Sequence, residues 1–441
     1  MSILLRGGLV LPLIEDARPV RADLLISGSR IAQIGIAPAQ LPADTEVIDC
    51  SGCYVMPGLV QTHVHLVQTI FRGLAEDLTL LEWLQRFIWP LEAAHDEASV
   101  RASVRLGLLE LITSGTTTIL DMGTTRHGDV VAEELVRSGI RARFGQAMMD
   151  TGEGVPPLLV ETTRASLDAS AALVKRWSRA GAGRIGYAYA PRFALSCTRD
   201  LLEAVAMLAK MNDAIVHTHS NENVDEAAAV RAATGMPPMA YLADVGIASE
   251  RSVIAHAVHL DDDELVILRH SRSAVTHCPS SNLKLGSGVA DVVRLRQANV
   301  PVGLGADGAA CNNALDGFEE ARLATLLART LHGQRSLTAG DALMMATRDG
   351  ARALHMEEDV GTLAVGKRAD VVVLDSERLA GPGGDPLARI VFGGGSRGVR
   401  DVVIDGTVLV RSGAPVLFDP AEVRAKAAEA LPGVISGAGI A

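Results

Sequence analysis

Short hydrophobic runs alternate with longer amphipathic segments between residues 58 and 357. Eight of the runs have the length of buried strands: Leu59–His63, Thr116–Asp121, Arg141–Ala147, Arg184–Ala190, Ala214–His219, Ser252–His256, Ala274–His277 and Val302–Gly305. The stretches between them, such as Ser99–Thr113, Leu201–Met211 and Asp262–His270, have the spacing of helices. Eight strand–helix units in this order predict an α/β fold, a parallel (β/α)8 TIM-like barrel.

The two ends of the chain show strand patterns broken by glycines and turns. Ala22–Gly28 and Arg30–Gly35 are examples near the start, and Val399–Ile404 is one near the end, before a helical pattern over residues 420–435. Neither end alone has enough strands for a core. We therefore expect residues 1–57 and 358–441 to form one small β-sandwich with a terminal helix, beside the barrel at 58–357.

Composition narrows the class of protein. With 48% hydrophobic and 21% charged residues the chain is globular, and its net charge of −11 argues against a nucleic-acid partner. No apolar run is long enough to span a bilayer and no signal-peptide pattern is present, so we expect no membrane association. Five widely spread cysteines are typical of a reducing compartment. The expected protein is a cytoplasmic homo-oligomer that acts on a small molecule.

Four metal-binding side chains fall at the carboxyl ends of predicted strands. His63 and His65 lie on one face of the first strand, because alternate residues of a strand share a face. His219 ends the fifth strand, and Asp307 follows the eighth. Three imidazoles and a carboxylate suit Zn²⁺, with Fe²⁺ or Mn²⁺ possible from ligand type alone. Arg184–Ala190 contains no lysine that could bridge two metals, so we expect one ion per subunit.

Acid–base groups follow the same strand ends. Glu222 comes three residues after His219, close enough to move a proton without binding the metal, and His256 ends the sixth strand. His256 is expected to contact the water that the metal activates, and Asp307 could accept its proton. His217 shares a strand face with His219, so it is either a further ligand or a residue one layer deeper.

The connection between the first two strands, residues 66–98, is the longest and is expected to form part of the substrate site. It contains Gln68, Trp83, Trp89 and Glu92. An aromatic wall beside a metal suits a flat ring as substrate, although both tryptophans could equally be packing anchors.

Several ordered motifs resemble the amidohydrolase superfamily across almost the whole chain. They are Pro57–Val60 leading into His63-Val64-His65, His219–Glu222, Ala255-His256, His277–Gly288, Gly305–Gly308, Gly361–Leu363 and Gly366–Asp370. The resemblance implies a branch with one metal ion that removes amines or chloride from nitrogen heterocycles.

Two local resemblances imply different substrates. Residues 80–92 resemble deaminases of S-adenosylhomocysteine, methylthioadenosine and 5'-deoxyadenosine, which implies that Trp83 and Glu92 bind substrate and that Glu92 binds the ribose hydroxyls. Ala190-Pro191-Arg192-Phe193 instead resembles guanine deaminases, which implies that Arg192 contacts a purine carbonyl, Phe193 stacks on the ring and Gln68 touches it. Adenosine-type enzymes usually have a histidine at position 192.

The sequence therefore predicts a metal-dependent aminohydrolase that removes an exocyclic amine from a purine-type ring, either a 5'-modified adenosine or guanine. Glu222 would protonate the ring nitrogen next to the carbon that bears the amine, while His256 and Asp307 hold the attacking water in position. Two alternatives stay open: a hydrolase of s-triazines, which would release chloride or an amine, and a barrel without catalytic activity that serves as a scaffold.

Overall fold

A computed structural model describes residues 2–15 and 18–440. The predicted outer ends of the terminal domain, residues 1 and 441, lie outside the described residues. The strands are β1 (Ser2–Val10), β2 (Val20–Ser27), β3 (Arg30–Gly35), β4 (Thr45–Asp49), β5 (Cys53–Pro57), β6 (Leu59–His65), β7 (Thr116–Met122), β8 (Arg141–Gly145), β9 (Ala147–Met148), β10 (Ile185–Pro191), β11 (Ile215–Ser220), β12 (Ser252–His256), β13 (Ala274–His277), β14 (Val302–Leu304), β15 (Asp307–Gly308), β16 (Val371–Asp375), β17 (Val399–Ile404), β18 (Thr407–Arg411) and β19 (Ala414–Pro415).

The α-helices are α1 (Leu80–Trp83), α2 (Trp89–Ala93), α3 (Glu97–Thr113), α4 (Gly128–Ser138), α5 (Thr163–Trp177), α6 (Arg199–Asn212), α7 (Val224–Thr234), α8 (Pro238–Asp244), α9 (Asp262–Ser271), α10 (Pro279–Lys284), α11 (Val292–Gln297), α12 (Ala309–Asn312), α13 (Gly317–His332), α14 (Ala339–Met344), α15 (Gly350–Ala353), α16 (Pro386–Phe392), α17 (Gly395–Gly398) and α18 (Pro420–Ala438). One π-helical turn, Leu84–Ile88, joins α1 to α2, and another, Met345–Asp349, joins α14 to α15. No helix in the described ranges is long and apolar enough to cross a bilayer.

The predicted (β/α)8 barrel is confirmed. Its strands β6, β7, β8, β10, β11, β12, β13 and β14 pair in parallel in this order, and β14 pairs with β6 to close the ring. Each strand begins and ends within two residues of its predicted bounds. These strands are apolar on both faces because one face packs on the helices and the other fills the barrel. Val60, Leu120, Ala188, Ile215 and Val253 form one apolar cluster across the strands.

Helix caps fix where several connecting helices begin. Asp96 accepts the backbone N–H of Ser99, whose side chain reaches back to Asp96, so α3 starts with a capping box. Thr198 caps α6 by accepting the backbone N–H of Leu201 with its side chain. α4 ends where Gly139 adopts a left-handed conformation that glycine accepts readily. These local signals set each helix at a fixed length before the next strand.

The two chain ends share one sheet of nine strands. β5 pairs antiparallel with β16, which joins the N-terminal strands to the C-terminal strands. An antiparallel β-bridge between Arg30 and Arg368 joins the edge strand β3 to the segment that precedes β16. The sheet therefore curves around a hydrophobic core of its own. Only one residue separates Pro57, the last residue of β5, from Leu59, the first residue of barrel strand β6. The first histidines of the site are therefore anchored directly to the terminal sheet.

Candidate metal centre and active site

Four predicted ligands converge at the carboxyl ends of the barrel strands. One ligand atom from each of His63, His65, His219 and Asp307 lies within 4.8 Å of all the others. Asp307 Oδ1 is 3.1 Å from His63 Nε2 and 3.4 Å from His65 Nε2. The Nε2 atoms of His65 and His219 are 3.2 Å apart.

Backbone carbonyls set the tautomer of two of these histidines. His65 Nδ1 lies 2.7 Å from the Met122 carbonyl oxygen, and His219 Nδ1 lies 2.6 Å from that of Arg192. A carbonyl can only accept, so each Nδ1 carries the proton and each Nε2 keeps its lone pair. Two lone pairs facing each other at 3.2 Å repel unless a cation lies between them.

His217 lies one layer below the ligands and orients the third. Its Nδ1 donates to the Val253 carbonyl at 2.9 Å, which leaves its Nε2 to accept the Nδ1 proton of His63 at 2.7 Å. His63 Nε2 therefore faces the centre with a free lone pair, and it is buried without a hydrogen-bond partner in the described structure. Of the two alternatives for His217, the geometry matches the deeper position.

The donor set fits a zinc ion. Burial lowers the pKa of His63, brings the pKa of His65 to about 3 and holds the pKa of His219 well below its usual value, so all three rings are neutral. Neutral imidazole nitrogens plus one carboxylate are a set that zinc prefers. Asp307 Oδ2 accepts the Ser281 hydroxyl at 2.6 Å, which holds the carboxylate in place.

Glu222 and His256 lie beside the metal centre. Asn282 Oδ1 accepts the Nδ1 proton of His256 at 2.9 Å, so His256 Nε2 is free; it lies 3.4 Å from Glu222 Oε2 and 3.9 Å from Asp307 Oδ2. Burial, reinforced by the negative charge of Asp307, raises the pKa of Glu222 well above its usual value. A protonated Glu222 next to a free imidazole nitrogen is a pair suited to proton transfer.

The backbone at this site is strained. His256 has φ +77° and Asp307 has φ +62°, both in the left-handed region. Non-glycine residues adopt this region at a cost of about 1–3 kcal/mol when the surrounding structure requires it. Here it turns both side chains towards the centre at the ends of β12 and the β14–β15 segment.

A cavity with an empty volume of about 380 Å³ opens on the metal centre. Its lining residues are His65, Gln68, Leu80, Trp83, Leu84, Arg192, Phe193, His219, Glu222, His256 and Asp307. The structure thus brings Gln68, Trp83, Arg192 and Phe193 to one cavity with the catalytic candidates. The indole Nε1 of Trp83 and the Oε1 of Gln68 are buried without a partner in the described structure.

Glu92 sits behind Arg192 and does not line this cavity. The Arg192 guanidinium donates to both carboxylate oxygens of Glu92, at 2.6 and 3.2 Å, and the Gln68 amide donates to Glu92 Oε1 at 2.9 Å. All three side chains are buried. Protein donors therefore already occupy the carboxylate that the sequence resemblance assigns to ribose hydroxyls.

The two tryptophans differ in position. Trp83 lines the cavity, whereas Trp89 packs against Phe193 with ring centroids 6.4 Å apart. Both belong to an apolar cluster that includes Ala427 and Val434 of α18. Trp83 is thus both a packing residue and a cavity wall, and the C-terminal helix supports the substrate side of the barrel.

Ser281 and Asn282 hold Asp307 and His256 in place, although neither is among the predicted site residues. Both residues follow β13 and therefore lie at the same end of the barrel as the metal ligands. That position could have identified them as candidate site residues from the sequence. Leu80 and Leu84 also line the cavity without having been singled out.

The barrel and its centre of three histidines and one aspartate define a metal-dependent hydrolase. Residues 54–409 match the amidohydrolase family, and the chain belongs to this family. The predicted family is thereby confirmed.

Similar proteins cover almost the whole chain. A 5'-deoxyadenosine deaminase of Methanothermobacter thermautotrophicus is 40% identical over 93% of this chain and 94% of its own. A 5-methylthioadenosine/S-adenosylhomocysteine deaminase of Halobacterium salinarum is 37% identical over 89% and 90%. A solved adenosine deaminase from Xanthomonas campestris with bound zinc is 30% identical, with a TM-score of 0.91 over 98% of both chains. The zinc complex of an atrazine chlorohydrolase from Arthrobacter aurescens TC1 is 28% identical, with a TM-score of 0.91 over 98% of this chain and 100% of that one.

Proposed function

We propose that the protein is a hydrolytic deaminase that uses one zinc ion to remove an exocyclic amine from a purine-type ring. The observation that carries this proposal is the placement of Glu222 and His256 beside four convergent metal ligands within one cavity. The deaminase names of the relatives support the same reaction. The closed set of metal and acid–base residues disfavours a scaffold without activity.

Each polar side chain has a distinct role. His63, His65, His219 and Asp307 would hold the ion, which acts as a Lewis acid and makes the attacking water more acidic. Asp307 Oδ2 and His256 Nε2 are 3.9 Å apart, so one water can contact both, and the proton that this water loses would pass through them to the departing amine. Glu222 delivers a proton to the ring nitrogen next to the carbon under attack, so that the amine can leave as ammonia.

The cavity wall recognises the ring. Trp83 and Phe193 supply aromatic surface for a flat substrate, and Gln68 offers a buried amide oxygen as an acceptor. The relatives favour a 5'-modified adenosine as substrate. Arg192 favours a second candidate, a guanine-type ring, because this residue lines the cavity and its guanidinium has further N–H groups, beyond those that donate to Glu92, for a ring carbonyl. Glu92 would contact a ribose only if Arg192 released it.

Replacing the proton donor tests the reaction. The Glu222→Gln variant is expected to bind zinc normally, because Glu222 is not a ligand, but to lose about 10²–10⁴-fold in turnover. Ammonia release would be measured for guanine, 5'-deoxyadenosine, methylthioadenosine and S-adenosylhomocysteine, with zinc content measured in parallel. Turnover close to that of the unmodified protein would refute the proton-delivery role of Glu222.

The leaving group separates deamination from triazine hydrolysis. Incubation with an aminated purine and with a chlorotriazine, followed by assays for ammonia and chloride, is expected to give ammonia from the purine. Chloride as the main product would favour the alternative.

We further propose that the protein works in the cytoplasm as a homo-oligomer. Each subunit would consist of the barrel at 58–357 and the terminal domain at 1–57 and 358–441. All five cysteines are buried and free of disulfides, which supports a reducing compartment. Light scattering of the purified protein would measure the oligomeric state.

A further inference from the structure

A second polar cavity lies at the end of the barrel away from the metal centre. It has an empty volume of about 1110 Å³, part of it open to solvent, and lies where β10 and β11 begin. Arg143, Arg179 and Arg251 line it, together with Asn212 and Leu354. None of these residues lines the cavity at the metal centre.

Arg143 has no protein partner within the described ranges. No hydrogen bond or ion pair joins its guanidinium to another described side chain or carbonyl, although it is only partly exposed. Burial, with Arg141 and Arg251 adding positive charge nearby, lowers the pKa of Arg143 from its usual value. A desolvated cation without a counterion is unfavourable, so an external anion would stabilise it.

Gly186 makes room for this cation. A Cβ atom built on Gly186 would lie 1.8 Å from Arg143 Nη1. The φ of Gly186 is not in the left-handed region, so its backbone does not itself require glycine. Close approach of the guanidinium to the β10 backbone accounts for the glycine at this position.

Neighbouring acidic groups do not neutralise the cavity. Arg251 pairs with Asp213, whose side chain is 77% exposed. Arg179 is exposed and pairs with no described residue. Asp359, the carboxylate that acts on Arg143, is bound by two other arginines at 3.5 and 3.4 Å. Three arginines therefore line this cavity, and Asp213, the carboxylate that lines it with them, is already paired with Arg251. This local excess of positive charge contrasts with the net charge of −11 of the whole chain.

We propose that this cavity is a binding site for a phosphate-bearing anion. Guanidinium groups bind phosphate oxygens through paired, charge-assisted hydrogen bonds, and a partly desolvated guanidinium does so more strongly than an exposed one. Arg143 is the primary anchor, and Arg179 and Arg251 close around the ligand from the loops before β10 and β12. The apolar cluster within the barrel, which includes Val60, Ala188 and Ile215, reaches this cavity through Ile215 and Leu354, but none of its members lines the cavity at the metal centre. The two cavities share no lining residue, so binding here is separate from the deaminase site.

Isothermal titration of the zinc-loaded protein with inorganic phosphate tests the proposal. The ionic strength is held constant with sodium chloride, because surface charge effects depend on salt. The expected result is saturable binding of phosphate, weakened at least tenfold in Arg143→Gln. Arg164→Gln is the matched control, because Arg164 is an exposed arginine paired with Asp168 at 2.7 Å. It is expected to bind as the unmodified protein does.

Phosphate could also bind at the metal centre, and the variants separate the two sites. Binding that is equally strong in Arg143→Gln and in the unmodified protein would place the ion elsewhere and overturn the proposal, as would the absence of saturable binding. If Arg143→Gln fails to fold, Arg179→Gln replaces it, because Arg179 is exposed and its loss leaves the core intact. A threefold or greater loss of affinity in Arg179→Gln supports the site, and an unchanged affinity refutes it.

Discussion

At the scale of single residues, the metal centre depends on which ring nitrogen each histidine leaves unprotonated. Met122, Arg192 and Val253 contribute only backbone carbonyls, and these oxygens impose the tautomers directly or through His217. Fixed tautomers keep the ligand lone pairs in place before an ion arrives, which lowers the free-energy cost of binding it. For the histidine tautomers, the path of the backbone at these three residues is therefore more important than their side chains.

His217→Leu is expected to weaken zinc binding about 10–100-fold, because His63 Nδ1 loses its acceptor and the ring can then protonate the wrong nitrogen. Titration against a competing chelator would measure this affinity. His217→Gln, whose amide oxygen can accept the same proton, is expected to retain tighter binding than His217→Leu. Equal zinc affinity in His217→Leu and the unmodified protein would show that His217 does not orient His63.

Asp121 makes stability depend on pH. Burial raises the pKa of its carboxyl from 3.8 to about 7; Oδ1 accepts the Leu66 N–H at 2.9 Å and Oδ2 has no partner in the described structure. Because the folded state holds the proton more tightly than the unfolded state, this group contributes stability below about pH 4. That contribution is lost as the pH rises to about 7, and its size is on the order of 4 kcal/mol.

The Asp121→Asn variant cannot ionise and should escape this loss. We expect its free energy of unfolding, relative to the unmodified protein, to be more favourable at pH 8 than at pH 5. Urea denaturation of both proteins at the two pH values measures this double difference, in which other titrating carboxyls cancel. A difference that is the same at both pH values would contradict the raised pKa.

At the scale of elements, strands buried on both faces were predicted more accurately from the sequence than strands that are partly exposed. β12 and β13 were predicted with their observed bounds, because strands inside a barrel are continuous apolar runs with polar ends. β4 and β18 were not predicted individually, because half-exposed short strands of the terminal sheet carry a weaker pattern. Strand alternation predicted that His63 and His65 share a face, but it could not rank His217 against His219, which also share one. The partner of each Nε2 atom distinguishes them: that of His217 accepts the His63 Nδ1 proton one layer below, whereas that of His219 faces His65 Nε2 among the ligands.

Substitution of two glycines by alanine is expected to have opposite effects on stability, because one glycine packs against a neighbouring strand and the other is exposed on a helix. A Cβ on Gly145 of β8 would lie 2.1 Å from the backbone oxygen of Ala188, whereas a Cβ on Gly433, exposed within α18, would meet nothing within 4 Å. Gly145→Ala is expected to destabilise the protein by at least about 1–3 kcal/mol, because two strand backbones must separate. Gly433→Ala is expected to stabilise it by up to about 1 kcal/mol. Chemical denaturation measures both, and a Gly145→Ala protein as stable as the unmodified one would contradict the close strand contact.

At the scale of the whole molecule, a buried ion pair joins the barrel to the terminal sheet. Arg141, at the start of β8, donates to both oxygens of Asp370 at 2.8 and 2.9 Å and to Asp405 at 3.0 Å. The Asp405 N–H also donates to Asp370 at 2.8 Å. Arg141 and Asp370 are 229 positions apart, so no local pattern could predict their contact. The Glu92–Arg192 pair, 100 positions apart, was hidden for the same reason.

Removing the cation from this junction should be far more damaging than removing an exposed one. Arg141→Met leaves Asp370 without its arginine partner and Asp405 with only Arg368, at 3.2 Å, in a site where the Arg141 side chain is only 3% exposed. The expected loss is about 3–5 kcal/mol at pH 7. Arg164→Met, which breaks an exposed pair on α5, is expected to lose far less stability, because water screens the pair. Urea denaturation at pH 7 measures both losses. Equal losses in the two variants would show that the junction does not depend on its buried charge.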